Sequence, residues 1–313
     1  MVATLGVSAV SADPNFWRHE WPDTDFEVHS VPLNEIMSGG PGKDGIPALS
    51  DPQFVTIDQK TSIDDREPVI AVEIEGAQPR AYPIRYLMWH EIVNDTVGGV
   101  PLAVTFCPLC NSAITFDRRV GDAELTLGVT GKLRKSDMVM YDRETESWWQ
   151  QAIGEGIVGI YTGEVLIQLP TWMESYAAFK MRNPDGLVMA EPQWRRAYGR
   201  NPYVNYDSSR RPFLYSGEEP PHGIPALARV VRVGDQAWPL ERLANVEELT
   251  EGGVTITWTA GKASALDAER ISQGRDVGAI RVRDAEGRDV PHDVMFAFAY
   301  HAFWPEGQWM LGK

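Results

Sequence analysis

One local order of elements, strand-strand-helix-strand, occurs twice along this chain with matching turns, and it confines the fold to a β-rich α+β architecture. In the first copy a strand pattern at Val69-Ile-Ala-Val-Glu-Ile74 precedes a turn at Gly76 and a second strand at Arg80-Ala-Tyr-Pro-Ile84. A helix follows over Arg85 to Asn94, then a turn at Gly98-Gly99 and a strand from Val100 to Phe106. In the second copy Ala228-Arg-Val-Val-Arg-Val-Gly-Asp-Gln-Ala-Trp-Pro-Leu240 answers the first hairpin, and Glu241-Arg-Leu243 answers Arg85-Tyr-Leu87. Gly252-Gly-Val254 then matches Gly98-Gly-Val100, and Val254-Thr-Ile-Thr-Trp258 matches Leu102-Ala-Val-Thr-Phe106. The expectation is two related β-β-α-β halves packed as one unit, over residues 67–190 and 191–313.

The rest of the chain is arranged around these halves. Residues 13–66 read as loop-rich, because Ser38-Gly-Gly-Pro-Gly-Lys-Asp-Gly-Ile-Pro-Ala48 has too much Gly and Pro for a helix or a central strand. Between the copies, strands are expected at 124–129, 137–141 and 164–169, with a helix near Trp172 to Met181 that Asn183-Pro-Asp-Gly186 ends. Residues 194–227, rich in Arg, Tyr, Pro and Gly, read as a long surface excursion.

The two copies differ where chemistry would lie. After Phe106 the first copy reads Cys107-Pro-Leu-Cys-Asn-Ser112, whereas the second reads Thr259-Ala-Gly-Lys-Ala-Ser264. Cys107 and Cys110 are the chain's 2 cysteines. A redox Cys-x-x-Cys of the thioredoxin type opens a helix, whose N-terminus lowers the first thiol's pKa. Here a strand, Ala113-Ile-Thr-Phe-Asp117, follows instead, so the six-residue loop has the shape of a metal knuckle that holds two thiolates close together. His90, on the helix before the knuckle strand, is the candidate third ligand; the competing reading is a core histidine with its hydrogen bonds satisfied. Two thiolates with one or two imidazoles suit Cu(I) or Zn(II), and a site of three ligands keeps one position open. A disulfide between the two cysteines is the competing state. Iron–sulfur clusters want four cysteines and do not fit.

Charged residues give further candidates with structural alternatives. Asp137, Asp142 and Arg143 either line a cleft or form turn caps and an ion pair, and Lys43 and Asp44 are either functional loop residues or ordinary turn chemistry. A net charge of −15 is unsuited to binding nucleic acid. No apolar stretch approaches the roughly 20 residues of a transmembrane helix. Met1-Val-Ala-Thr-Leu-Gly-Val-Ser-Ala-Val-Ser-Ala12 has the small, apolar character of a signal-peptide end without its basic start, so residues 1–12 point to export, periplasmic or extracellular.

Four stretches in order give the chain a family resemblance: Ser38 to Ala48; Ala81-Tyr-Pro-Ile-Arg-Tyr-Leu-Met-Trp-His-Glu-Ile-Val-Asn-Asp95; Phe106-Cys-Pro-Leu-Cys-Asn-Ser-Ala113; and Lys135-Ser-Asp-Met-Val-Met-Tyr-Asp-Arg143. Together they resemble the domain of unknown function 3179 family over roughly residues 35–305. The resemblance implies no activity. It groups Trp89, His90, Cys107 and Cys110 as one site. Where the family pattern reads Ala-Phe-His-Pro, this chain has Ala302-Phe-Trp-Pro305, which removes a ligand type from that segment and leaves His301 as an unmatched substitute. The functional expectation is an exported metal-binding protein with a Cys107, Cys110 and His90 site for copper or zinc, acting as a metal-dependent oxidoreductase. The alternative is a non-enzymatic binding or scaffold protein with a structural metal or a disulfide. Its substrate or protein partner is not legible in the residues.

Overall fold

A computed structural model describes residues 14–312 except 60, 61 and 245. With 14% of residues helical and 37% in strands, the chain is β-rich, and its sheets form a five-bladed propeller-like ring. Among the described residues no helix is long and apolar enough to cross a membrane. The expected signal remnant at residues 1–12 lies outside the described residues.

The chain builds the ring from hairpins. Strands β1 (Pro68–Val72) and β2 (Arg80–Pro83) pair antiparallel. Helix α1 (Ile84–His90) leads to β3 (Ile92–Val97), β4 (Val100–Cys107) and β5 (Ser112–Asp117), an antiparallel set that forms the next blade. The hairpin β6 (Leu127–Arg134) and β7 (Asp137–Asp142) extends through Trp148–Gln150 to Glu155–Val158. The chain then returns to the first blade. Strand β8 (Thr171–Ser175) pairs antiparallel with β1, helix α2 (Tyr176–Arg182) follows, and β9 (Leu187–Met189) pairs parallel with β2.

The C-terminal part follows the same path. Strands β10 (Arg229–Val233) and β11 (Gln236–Pro239) form a hairpin, and a single 3-10 turn at Leu240–Arg242 replaces α1. An antiparallel blade of β12 (Glu248–Glu251), β13 (Val254–Thr259) and β14 (Ala279–Arg283) comes next. The return is made by β15 (Asp293–Phe296), helix α3 (Ala297–Phe303) and β16 (Gln308–Trp309). The sheet order β15-β10-β11-β16 thus repeats β8-β1-β2-β9, with the same antiparallel and parallel pairings. Both β3–β4 and β12–β13 turn through two glycines at positive φ, Gly98 (58°) and Gly99 (79°) against Gly252 (62°) and Gly253 (83°), the two-residue loop that matches strand twist.

Local sequence sets several boundaries differently from expectation. The first helix stops at His90 rather than Asn94, because Glu91 takes φ 59° and ψ −35° and the β-branched Ile92 and Val93 enter β3 against β4. Trp172 lies in β8, and Ser175 caps α2 by accepting from the Ala178 N–H at 3.2 Å. Residues 164–169 make only isolated bridges, and Val165 and Ile167 stay exposed. Among its described residues, the segment expected to be loop-rich is tied down at several points. It carries a helix, Pro14–Glu20, and three short strands, Ile36–Ser38, Leu49–Ser50 and Phe54–Thr56, which pair with β6, β3 and β9. Trp17, Trp21 and Phe26 pack with Tyr141 and Trp148 in a separate aromatic core.

The Gly/Pro stretch folds onto β6. Gly39 N–H donates to the Gly131 carbonyl at 2.8 Å, and Asp44 N–H donates to the Val129 carbonyl at 2.9 Å. Gly131 has φ 71° at a bulge in β6, where an added Cβ would collide with the Pro41 carbonyl. Gly131→Ala is therefore expected to destabilise the fold by on the order of 1–3 kcal/mol, measured by urea denaturation against wild type.

Candidate metal centre

Strand β4 is buried from Pro101 to Cys107, so its end delivers the Cys107 thiol into the interior. The chain then reverses through Pro108, Leu109, Cys110 and Asn111, the last at φ 54°, and Ser112 pairs with Cys107 across the ladder. Both cysteines are buried free thiols. The turn is locked by the adjoining strand β15: the Phe296 N–H donates to the Cys110 carbonyl at 2.8 Å, and Asn111 Nδ2 donates to the Val294 carbonyl at 2.9 Å.

The third group at the thiols is Asp137, the first residue of β7. Cys107 Sγ, Cys110 Sγ and an Asp137 carboxylate oxygen all lie within 4.8 Å of one another. Asp137 Oδ2 accepts from Gln150 Nε2 at 2.7 Å and from the Ala152 N–H at 2.9 Å, which fixes the carboxylate. Oδ1 is buried without a hydrogen-bond partner. Arg134 reaches this carboxylate only through Gln150, whose Oε1 accepts from Nη1 at 3.4 Å.

Electrostatics at the cluster are one-sided. Burial pushes the Asp137 carboxyl up to about 6, and burial together with Asp137 pushes Glu91 up to about 8. Burial raises the Cys107 thiol and raises Cys110 well above the usual thiol range, with the neighbouring Cys107 adding to the shift at Cys110. Four acidic groups thus meet where desolvation penalises each anion, a situation that a cation relieves.

A cavity of about 190 Å³ opens beside Cys107. Gly39, Pro41 and Ile46 of the Gly/Pro loop, Tyr203 and Phe213 of the 194–227 excursion, and Glu91 contribute to its wall. Of the three clustered donors only Cys107 lines it. The excursion is therefore a cover as well as a surface segment: Tyr206 Oη donates to the Leu109 carbonyl at 3.0 Å, and Ser136 Oγ donates to the Phe213 carbonyl.

His90 is not brought to the sulfurs, which corrects the expected ligand set. Its Nδ1–H donates to the Pro47 carbonyl at 2.7 Å, so Nε2, at 2.7 Å from Tyr198 Oη, accepts from that phenol. Burial lowers its pKa and favours this neutral form. The ring joins the two covering segments, the Gly/Pro loop through Pro47 and the excursion through Tyr198. His90→Ala is expected to raise the alkylation rate of the two thiols by at least about tenfold with metal content unchanged, as read by mass spectrometry of iodoacetamide-treated protein.

The other charged candidates resolve as structural. Arg143 Nη2 and Nη1 donate to Asp44 at 2.8 and 2.9 Å, and Tyr141 Oη donates to the same carboxylate at 2.7 Å. Lys43 pairs with Glu146. Together these contacts anchor the Gly/Pro loop. Asp142 caps a turn, accepting from the Thr145 N–H at 2.7 Å and from Trp149 Nε1 at 2.9 Å. His301 lies apart from the donor cluster, near Glu218. Glu91 escaped the sequence reading, since one glutamate next to a histidine in an apolar run carries no periodic signal.

Fold and site together define a propeller-like β protein with one buried cysteine–carboxylate cluster under two covering segments. The chain belongs to the family described as protein of unknown function (DUF3179), which matches residues 43–307. No curated protein and no solved structure matches it. All four stretches that carry the family resemblance contribute to this one cavity and cluster, through Ile46, Glu91, Cys107 and Asp137.

Proposed function

We propose that Cys107, Cys110 and the Asp137 carboxylate bind one metal ion whose fourth coordination position faces the cavity, so that the centre is catalytic. The observation that carries this reading is Asp137: one oxygen is pinned by Gln150 and Ala152, while the other is buried, unpartnered and carried by the group that stands against two thiols. Orientation of a ligating carboxylate by such outer hydrogen bonds is a regular feature of metal sites. A hard carboxylate beside two thiolates favours borderline Zn(II) over Cu(I), which prefers sulfur alone. Three protein donors with an adjacent cavity fit a catalytic arrangement, whereas a structural zinc site closes with four.

An ion here would polarise an oxygen of a bound substrate, and an oxidoreductase role then requires a separate electron carrier if the ion is zinc. Export belongs to the same proposal and rests on the composition of residues 1–12. So does an internal duplication, with the metal site kept by one half; the repeated sheet order and the paired two-glycine turns support it.

Protein purified without chelators is expected to contain one equivalent of zinc by elemental analysis. Asp137→Asn, which keeps the size and removes the charge, is expected to weaken zinc binding by at least about tenfold while the fold persists. Unchanged affinity in that variant would sink the carboxylate's role.

A further inference from the structure

We infer that the cavity beside Cys107 takes an uncharged molecule of about the size of benzene, with an apolar body and one hydroxyl head, and that it rejects anions. This inference rests on the metal reading for what meets the head and on the cavity itself for size and charge.

Size follows from volume. The cavity holds about 190 Å³, and an apolar protein cavity of roughly 150 Å³ is enough for benzene. Its walls are largely apolar and include Ile46, Leu109, Val129, Leu133, Met138 and Phe213. Such a wall favours an apolar body and gives a charged one nothing in exchange for lost water.

Charge follows from the donors. Two thiolates and a carboxylate around a divalent ion leave one net negative charge, and Glu91, a buried residue with no side-chain hydrogen bond among the described residues, lies in the same wall. The one amine in the wall, Lys132, is committed elsewhere, since its Nζ donates to Glu20 Oε2 at 3.1 Å. An entering carboxylate therefore meets a net-negative centre and no free side-chain cation in the wall. A hydroxyl finds both partners it needs: its oxygen can face the open metal position beside Cys107, and its hydrogen can face Glu91.

The pair benzyl alcohol and benzoate, which share a ring and differ in charge, tests this on the full chain. Loaded with Co(II) in place of zinc, the protein is expected to show a saturable change in its visible bands with benzyl alcohol and at least tenfold weaker response to benzoate. Ile46→Trp, which fills the cavity from the covering loop, is expected to abolish the benzyl alcohol response while Co(II) stoichiometry stays at one. Benzoate binding as tightly as benzyl alcohol, or an undiminished response in Ile46→Trp, would overturn the inference and leave the metal reading intact. If Co(II) does not bind, the metal reading fails instead, and the same pair is read in metal-free protein as protection of Cys107 from iodoacetamide. Protection by benzyl alcohol with at least tenfold weaker protection by benzoate then supports the cavity's selectivity, and equal protection or none overturns it.

Discussion

Cys107→Ser and Cys110→Ser are each expected to lose zinc, with affinity falling more than about 100-fold, beyond the range typical of changes to groups that only orient a ligand. The two variants should behave alike although their surroundings differ. Cys107 lines the cavity, whereas Cys110 lies behind it with its thiol donating to the Ser136 carbonyl at 3.5 Å. A shared ion requires both sulfurs, so truncating either leaves one thiolate and one carboxylate, too few donors to hold the ion. A site based on Cys107 alone would show a large effect there and a small one at Cys110. Circular dichroism and melting temperature separate loss of metal from loss of fold, because hydrogen bonds from Phe296 and Asn111 hold the turn without the sulfurs. A full equivalent of zinc in either variant would exclude shared ligation.

A large pH effect is expected at Lys262, in the loop that follows β13. Its side chain is buried, and burial together with the nearby Arg229 brings its pKa from 10.5 down to about 7, against the pull of Asp276, Glu174 and Asp293. The unfolded chain therefore binds a proton that the folded chain releases between about pH 7 and 10.5. In that window the Lys262 contribution makes stability rise with pH, and the full penalty applies below about 7. At 1.36 kcal/mol per pKa unit the penalty is on the order of 5 kcal/mol. Lys262→Met should remove it, so the variant is expected to be the more stable at neutral pH and the difference should vanish by about pH 10 to 11. Urea denaturation of both proteins across that range, compared pH by pH, cancels the other titrating groups. A difference that does not change with pH would show that Lys262 keeps its proton on folding, through a partner stronger than its surroundings suggest.

Burial of polar groups thus has opposite meanings in two clusters. In the first, Asp137 and the thiols are acids with no side-chain cation beside them among the described residues. In the second, Asp207 is buried with Arg229 and Arg275 at 2.8 Å from its two oxygens and with Ser264 donating as well, a satisfied network. Only the unsatisfied set is suited to a ligand, since a completed ion pair has no free electrostatic demand.

Local pattern was enough to establish much of this protein from sequence. The strand-turn-strand order, the two-glycine turns and the knuckle between β4 and β5 are near-neighbour features, so residues close in the chain decide them. The family resemblance too was carried by local stretches. The helix end was misplaced because the conformation of Glu91 breaks the helix just where Ile92 and Val93 still allowed an amphipathic reading. What only the tertiary structure decided was which side chains meet. Cys107 and Asp137 come from different blades, thirty positions apart in the numbering, and nothing local distinguishes Asp137 from the turn-capping Asp142 a few residues on. His90 is adjacent to the site in sequence yet points to Pro47 and Tyr198, because direction within a buried helix depends on what packs around it. The cavity itself is bounded by segments as distant as Gly39 and Phe213, and such closure is a property of the assembled ring.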